Sequence, residues 1–200
     1  MKKLATGTLV LLALIGVALI AFFWGVGVRN GFVSQEENVS TAWANVQTQY
    51  QRRADLIPNL VNTVKGYAKH EQETFEKVVE ARAKATEIKV DPTNMTAEDL
   101  QKYQEAQGEL TQALGRLIAI SENYPELKAN QNFLELQAQL EGTENRINES
   151  RSLYNKAVQD YNVNIRTFPK NIVASICNFA KKDKFEATAA AQEAPQVSFD

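Results

Sequence analysis

The chain carries one histidine, His70, and one cysteine, Cys177, among 200 residues. That inventory limits the chemistry sharply. The stretch His70-Glu71-Gln72-Glu73 lacks the second histidine of a helical zinc site, and a two-histidine metal centre is excluded. Cys177 lies among apolar residues in Ile-Val-Ala-Ser-Ile-Cys-Asn-Phe, the setting of a buried and inert thiol rather than a nucleophile. Glu71, Glu73, Glu76 and Glu80 alternate with Lys69, Lys77 and Lys84, which reads as a solvated helix face. Paired carboxylates for acid–base work would need burial to tune them, and nothing in this pattern supplies it. Phosphate-loop, dinucleotide and nucleophile-elbow patterns are absent. The expectation is a protein that is not an enzyme, with no catalytic residue, no metal and no cofactor.

One polar cluster stands out. In Gln51-Arg52-Arg53-Ala54-Asp55-Leu56-Ile57-Pro58-Asn59, two arginines and an aspartate meet a proline. The plain reading is a corner between helices, with Asp55 and Asn59 tying off backbone. The sharper reading is an interaction patch formed by Arg52, Arg53, Asp55, Asn59 and Tyr124. The corner reading predicts that loss of Arg53 lowers thermal stability; the patch reading predicts normal stability and a lost partner.

The elements that would position these residues follow from the apolar pattern. Residues 4–28 contain no charge and are bracketed by Lys2, Lys3 and Arg29. At 1.5 Å per residue, such a helix spans the roughly 30 Å hydrocarbon core of a bilayer. A cleaved signal would have a shorter apolar run and a small-residue end, whereas this one ends in Phe22-Phe23-Trp24, suited to an interface. The bilayer is thus the expected partner of residues 4–28, in a single-pass membrane protein. Lys2 and Lys3 before the span, against Arg29 and the nearby Glu36 and Glu37 after it, place the remainder on the outer side. A net charge of −2 argues against nucleic acid.

Beyond the span, apolar residues recur at helical spacing. Val39, Trp43, Val46 and Tyr50 mark a first helix, with Ser34 and Glu37 as a capping box at its start. Leu60, Val61, Val64, Phe75 and Val78 mark a second, ending near Ile88. Asp55–Pro58 is the favoured break between the two, because proline resists a helix interior; a kink in one long helix is the alternative. Thr96 and Asp99 cap a third helix, through Leu100, Tyr103, Leu110, Leu114 and Leu117 to Tyr124-Pro125. Phe133, Leu136, Leu140, Ile147, Tyr154, Val158, Tyr161 and Ile165 mark a long fourth with a coiled-coil-like stripe. A short segment from Lys170 to Phe179 follows as a cap. Gly66, Gly108, Gly115 and Gly142 inside helices suggest close helix contacts. Asn145, Asn148, Asn155, Asn162 and Asn164 are either a register-fixing hydrogen-bond network or surface residues. The fold class is all-α: an N-terminal transmembrane helix and an antiparallel up-down four-helix bundle. The expected divisions are an anchor at 1–30, a helical bundle at 31–186 and a disordered tail at 187–200.

Three blocks carry a resemblance: AWANVQTQYQRRADLIPNLVNTVKGYAKHE from Ala42, NYPELKANQNFLELQAQLEGTENRI from Asn123 and YNKAVQDYNVNIRTFP from Tyr154. With the preceding span, they resemble the LemA family of bacterial membrane proteins. The resemblance implies an anchored four-helix bundle without a known activity, cofactor or catalytic residue. It also implies a loose link to envelope stress and membrane proteases, and a short N-terminus outside the membrane, opposite to the charge-based orientation. Together these readings point to an anchored scaffold that binds unknown protein partners or itself, with an adaptor or regulator of a membrane protease or envelope-stress system as the alternative.

Overall fold

The computed structural model describes residues 2–92 and 94–186 and is all-α over that range. Its elements are α1 (Lys2–Tyr67), α2 (Gln72–Glu87), α3 (Ala97–Ile120), a 3-10 turn (Ser121–Asn123), α4 (Pro125–Lys128), α5 (Gln131–Arg166) and α6 (Lys170–Ile176). The expected disordered tail lies outside the described residues. The apolar run and the first amphipathic segment form one helix. Ser34 therefore sits inside α1, and the capping box expected there does not form. A helix already running through Ser34 has no free N–H groups for that side chain to cap.

The expected break at Asp55–Pro58 is also absent, because α1 passes through Pro58. Proline cannot donate to the carbonyl four residues earlier, which here belongs to Ala54. That carbonyl instead accepts a 2.8 Å bond from Arg82 Nε of α2. The group orphaned by the proline thus becomes a fastening between helices. Pro58 itself is exposed, so its ring displaces no core side chain. The chain turns later, at residues 68–71, where the Glu71 amide bonds the Ala68 carbonyl.

Other boundaries follow the expected rules. Thr96 and Asp99 form a reciprocal capping box at the start of α3. Asn130 accepts from the Phe133 amide at the start of α5 and donates to the Tyr67 hydroxyl. A Cβ at Gly66, Gly108, Gly115 or Gly142 would meet nothing within 4 Å. Close packing therefore does not explain these glycines, and nothing in the structure does.

The residues fall into two compact units. Their boundary crosses α1 between Thr41 and Ala42, α5 between Asn155 and Lys156, and the C-terminal stretch between Lys182 and Asp183. The unit containing the apolar run buries Phe32, Val39, Val158, Tyr161, Ile165 and Ala174. The run's own large side chains, from Leu9 to Trp24, are exposed. The other unit has a core of Ile57, Leu60, Val64, Phe75, Val78, Leu110, Leu114, Leu117, Phe133 and Leu140. The stripes read from the sequence supply most of both cores.

The Pro58 arrangement has a measurable consequence. Arg82→Ala should cost about 1–2 kcal/mol in the native background, by leaving the Ala54 carbonyl unmatched. In a Pro58→Ala background the new backbone N–H can serve that carbonyl, and the cost should fall by at least about half. Urea unfolding of the four proteins of this cycle measures the coupling.

Candidate functional site

The polar cluster of α1 divides by helix geometry. Arg52, Asp55 and Asn59 lie within about 60° of arc on a helix of 3.6 residues per turn, and all three are exposed. Asp55 accepts a 2.7 Å bond from Gln51, one turn earlier. Arg53 points the other way and is only 1% exposed. Tyr124 is half-buried after the 3-10 turn, with its hydroxyl 3.4 Å from Glu71 Oε1. The structure thus groups Arg52, Asp55 and Asn59, turns Arg53 inward, and places Tyr124 against the turn between α1 and α2.

Arg53 is the polar centre of its unit. Its Nη1 donates to Thr111 Oγ1 at 2.9 Å and to Glu144 Oε1 at 2.7 Å. Its Nη2 donates to the Gln107 carbonyl at 3.2 Å and to Gln107 Oε1 at 2.5 Å. Gln107 in turn donates to the Ala85 carbonyl of α2 at 3.1 Å. A fork of donors on α1 therefore reaches α3 and α5 directly, and α2 through one amide. The guanidinium also lies 5.1 Å from the Tyr50 ring centroid. A lysine could not reproduce this planar arrangement.

An aromatic group adjoins this centre. Trp43 stands 5.3 Å from Tyr103, 5.4 Å from Tyr154 and 5.8 Å from Phe185, ring to ring. Phe185 lies beyond the last helix, in a non-helical segment that α5 holds by its backbone. Asn155 accepts from the Phe185 amide at 2.8 Å and donates to the Phe185 carbonyl at 3.0 Å. The Tyr154 hydroxyl bonds the Asp183 carbonyl at 3.1 Å, and Arg151 lies 4.7 Å from the Phe185 ring. In the other unit, Asn162 makes the same paired contact with Lys182, at 2.9 and 2.8 Å. Two of the five asparagines thus pair with both the amide and the carbonyl of one residue in a non-helical main chain, while Asn145 and Asn148 are exposed. Their seven-residue spacing on one helix face was the available signal, but their ligand is backbone and leaves no side-chain pattern.

Among the described residues, no three His, Cys, Asp or Glu side chains gather to hold a metal ion. His70 is exposed in the turn after α1. Cys177 is half-exposed rather than buried as expected, because it follows the last turn of α6 instead of lying inside it. A cleft of about 200 Å³ opens beside Tyr50 and Tyr103, walled by Gln47, Gln107 and Lys89. Its lining offers one cation and no carboxylate.

A family model described as the LemA family matches residues 42–199. Magnetosome protein MamQ 2 of Paramagnetospirillum magneticum is 28% identical over 204 residues, covering 92% of this chain and 75% of that protein. Magnetosome protein MamQ of Magnetospirillum gryphiswaldense is 28% identical over 203 residues, with the same coverage. Protein LemA of Metamycoplasma hominis is 26% identical over 169 residues, covering 84% of this chain and 74% of that one.

The buried tyrosines give the fold an alkaline limit. Burial raises the pKa of Tyr50, Tyr103 and Tyr154 above the ordinary phenol value, and pushes Tyr161 up to about 12. A phenol whose folded pKa is raised stabilises the fold fully below its unfolded value near 10 and progressively less above it. The urea midpoint should therefore be level up to about pH 9 and fall between about pH 10 and 12. Tyr161→Phe should make that fall shallower.

Proposed function

Since the chain belongs to the LemA family, we propose that it is a membrane-anchored, non-catalytic helical scaffold of the bacterial envelope that binds partner proteins or itself. The observation that carries this reading is the division of labour on α1. Arg53 is spent inside, tying α1 to α3 and α5, while Arg52, Asp55 and Asn59 face water on the same rigid helix. Side chains held on a packed helix bind at low entropic cost, because little further ordering is needed. The candidate interaction patch is Arg52, Asp55 and Asn59, with Arg53 as its internal support and Tyr124 as a further contact.

The reading includes an anchor at residues 1–30 and an antiparallel up-down four-helix bundle at 31–186. Antiparallel pairing is supported by Arg53–Glu144 and Trp43–Tyr154, in which the α5 number falls as the α1 number rises. The charge pattern around the span favours the outer side of the membrane for this bundle.

The test is affinity capture from gently solubilised membranes, comparing the native chain with an Arg52→Ala, Asp55→Ala, Asn59→Ala triple variant. The triple variant should unfold within about 0.5 kcal/mol of the native chain, as exposed substitutions do. It should also lose a partner, or a second copy, that the native chain recovers reproducibly. Recovery of monomer alone from both proteins would contradict the reading.

A further inference from the structure

We propose that the segment Phe168–Ile176 is a second membrane contact, lying in the headgroup region of the bilayer that α1 crosses. The inference rests on the span and not on the partner-binding reading.

The membrane level comes from α1. The uncharged run ends at Val28, and Phe32 follows four residues later, about 6 Å along the helix. Phe32 packs edge-on against Phe179 at 5.2 Å, which brings the end of the α6 segment to that level. The C-terminal end of α5 is fixed nearby. Asn164 donates to Gln35 at 2.7 Å and accepts from Lys170 at 2.6 Å. Lys182 pairs with Glu36 at 3.0 Å. All of these contacts lie within the unit that contains the run.

At this level the protein exposes large apolar side chains that its core leaves uncovered. Phe168 is 76% exposed, Ile172 51% and Ile176 77%. Ile172 and Ile176 stand one helical turn apart on α6, and Phe168 lies in the turn that leads into it, where the Asn171 amide bonds the Thr167 carbonyl. Ala174 alone in α6 is fully buried, so the helix keeps its small residue for the protein and turns its isoleucines outward. Arg166 and Lys181 flank the segment, and Lys170 lies within it at the start of α6. An apolar face bordered by basic side chains is the composition of a helix lying in a membrane interface. The bilayer is the one occupant whose position near this face is set by the chain itself.

The test is hydroxyl-radical footprinting of the native full-length chain, without substitutions, in vesicles of phosphatidylcholine and phosphatidylglycerol. Radicals are generated by radiolysis of water on both sides of the membrane. Each residue's oxidation rate is divided by its rate in the urea-unfolded chain. Phe168, Ile172 and Ile176 should be oxidised several-fold more slowly than Leu134 and Leu153, which at 49% and 54% are as exposed as Ile172 and less exposed than Phe168 and Ile176. Equal normalised rates would overturn the proposal. Co-sedimentation of the chain with the vesicles, measured on the same sample, reports the span separately.

Discussion

A guanidinium taken out of water must recover its hydrogen bonds from the protein, and Arg53 recovers those of Nη1 and Nη2 from α3 and α5 at once, while its buried Nε meets no acceptor among the described residues. The cost of desolvating such a charge is on the order of several kcal/mol, and the bonds made by the two terminal nitrogens are what offset it. Meeting them fixes the rotation of α1 about its axis and its level against Gln107, Thr111 and Glu144. Apolar side chains alone would tolerate sliding by small steps, because dispersion is non-directional. Glu144 keeps contact with water, which moderates both the cost of the pair and its strength.

The same rule accounts for two less regular features. Pro58 leaves the Ala54 carbonyl without its helical donor, and Arg82 supplies one from α2. The segment around Phe185 has no helix or sheet of its own, and Asn155 supplies both partners for that residue's backbone. In each case an unmet main-chain group is satisfied by a side chain from another element, so an irregularity becomes a cross-link. These fastenings suit a protein whose envelope role, as proposed, is to present a surface rather than to turn over a substrate.

Much of this fold is legible as periodicity. The stripes through Trp43, Tyr103 and Tyr154 are buried apart from the half-buried Leu136, and Thr96 with Asp99 caps α3 as the pattern requires. The helix runs through Pro58 against proline's local preference because the carbonyl it orphans is met by a distant donor, Arg82, that no local window contains. The capping pattern at Ser34 failed for the same kind of reason, since the helix had already begun far upstream. Arg52 and Arg53 are adjacent and chemically alike, yet one meets water and the other is sealed inside. Only the phase of the helix separates them. Extending the apolar stripe from Tyr50 to Ala54 and Ile57 places residue 53 on its inner edge.

The central claim is that Arg53 is the internal support of the scaffold, and the most direct measurement is a comparison of the two neighbouring arginines. Urea unfolding of the native chain, Arg53→Ala and Arg52→Ala gives the two stability changes. Arg53→Ala should lose about 2–4 kcal/mol, because Gln107, Thr111 and Glu144 lose their shared donor, while Arg52→Ala should stay within about 0.5 kcal/mol. Equal losses, or an Arg53→Ala variant as stable as the native chain, would contradict the account.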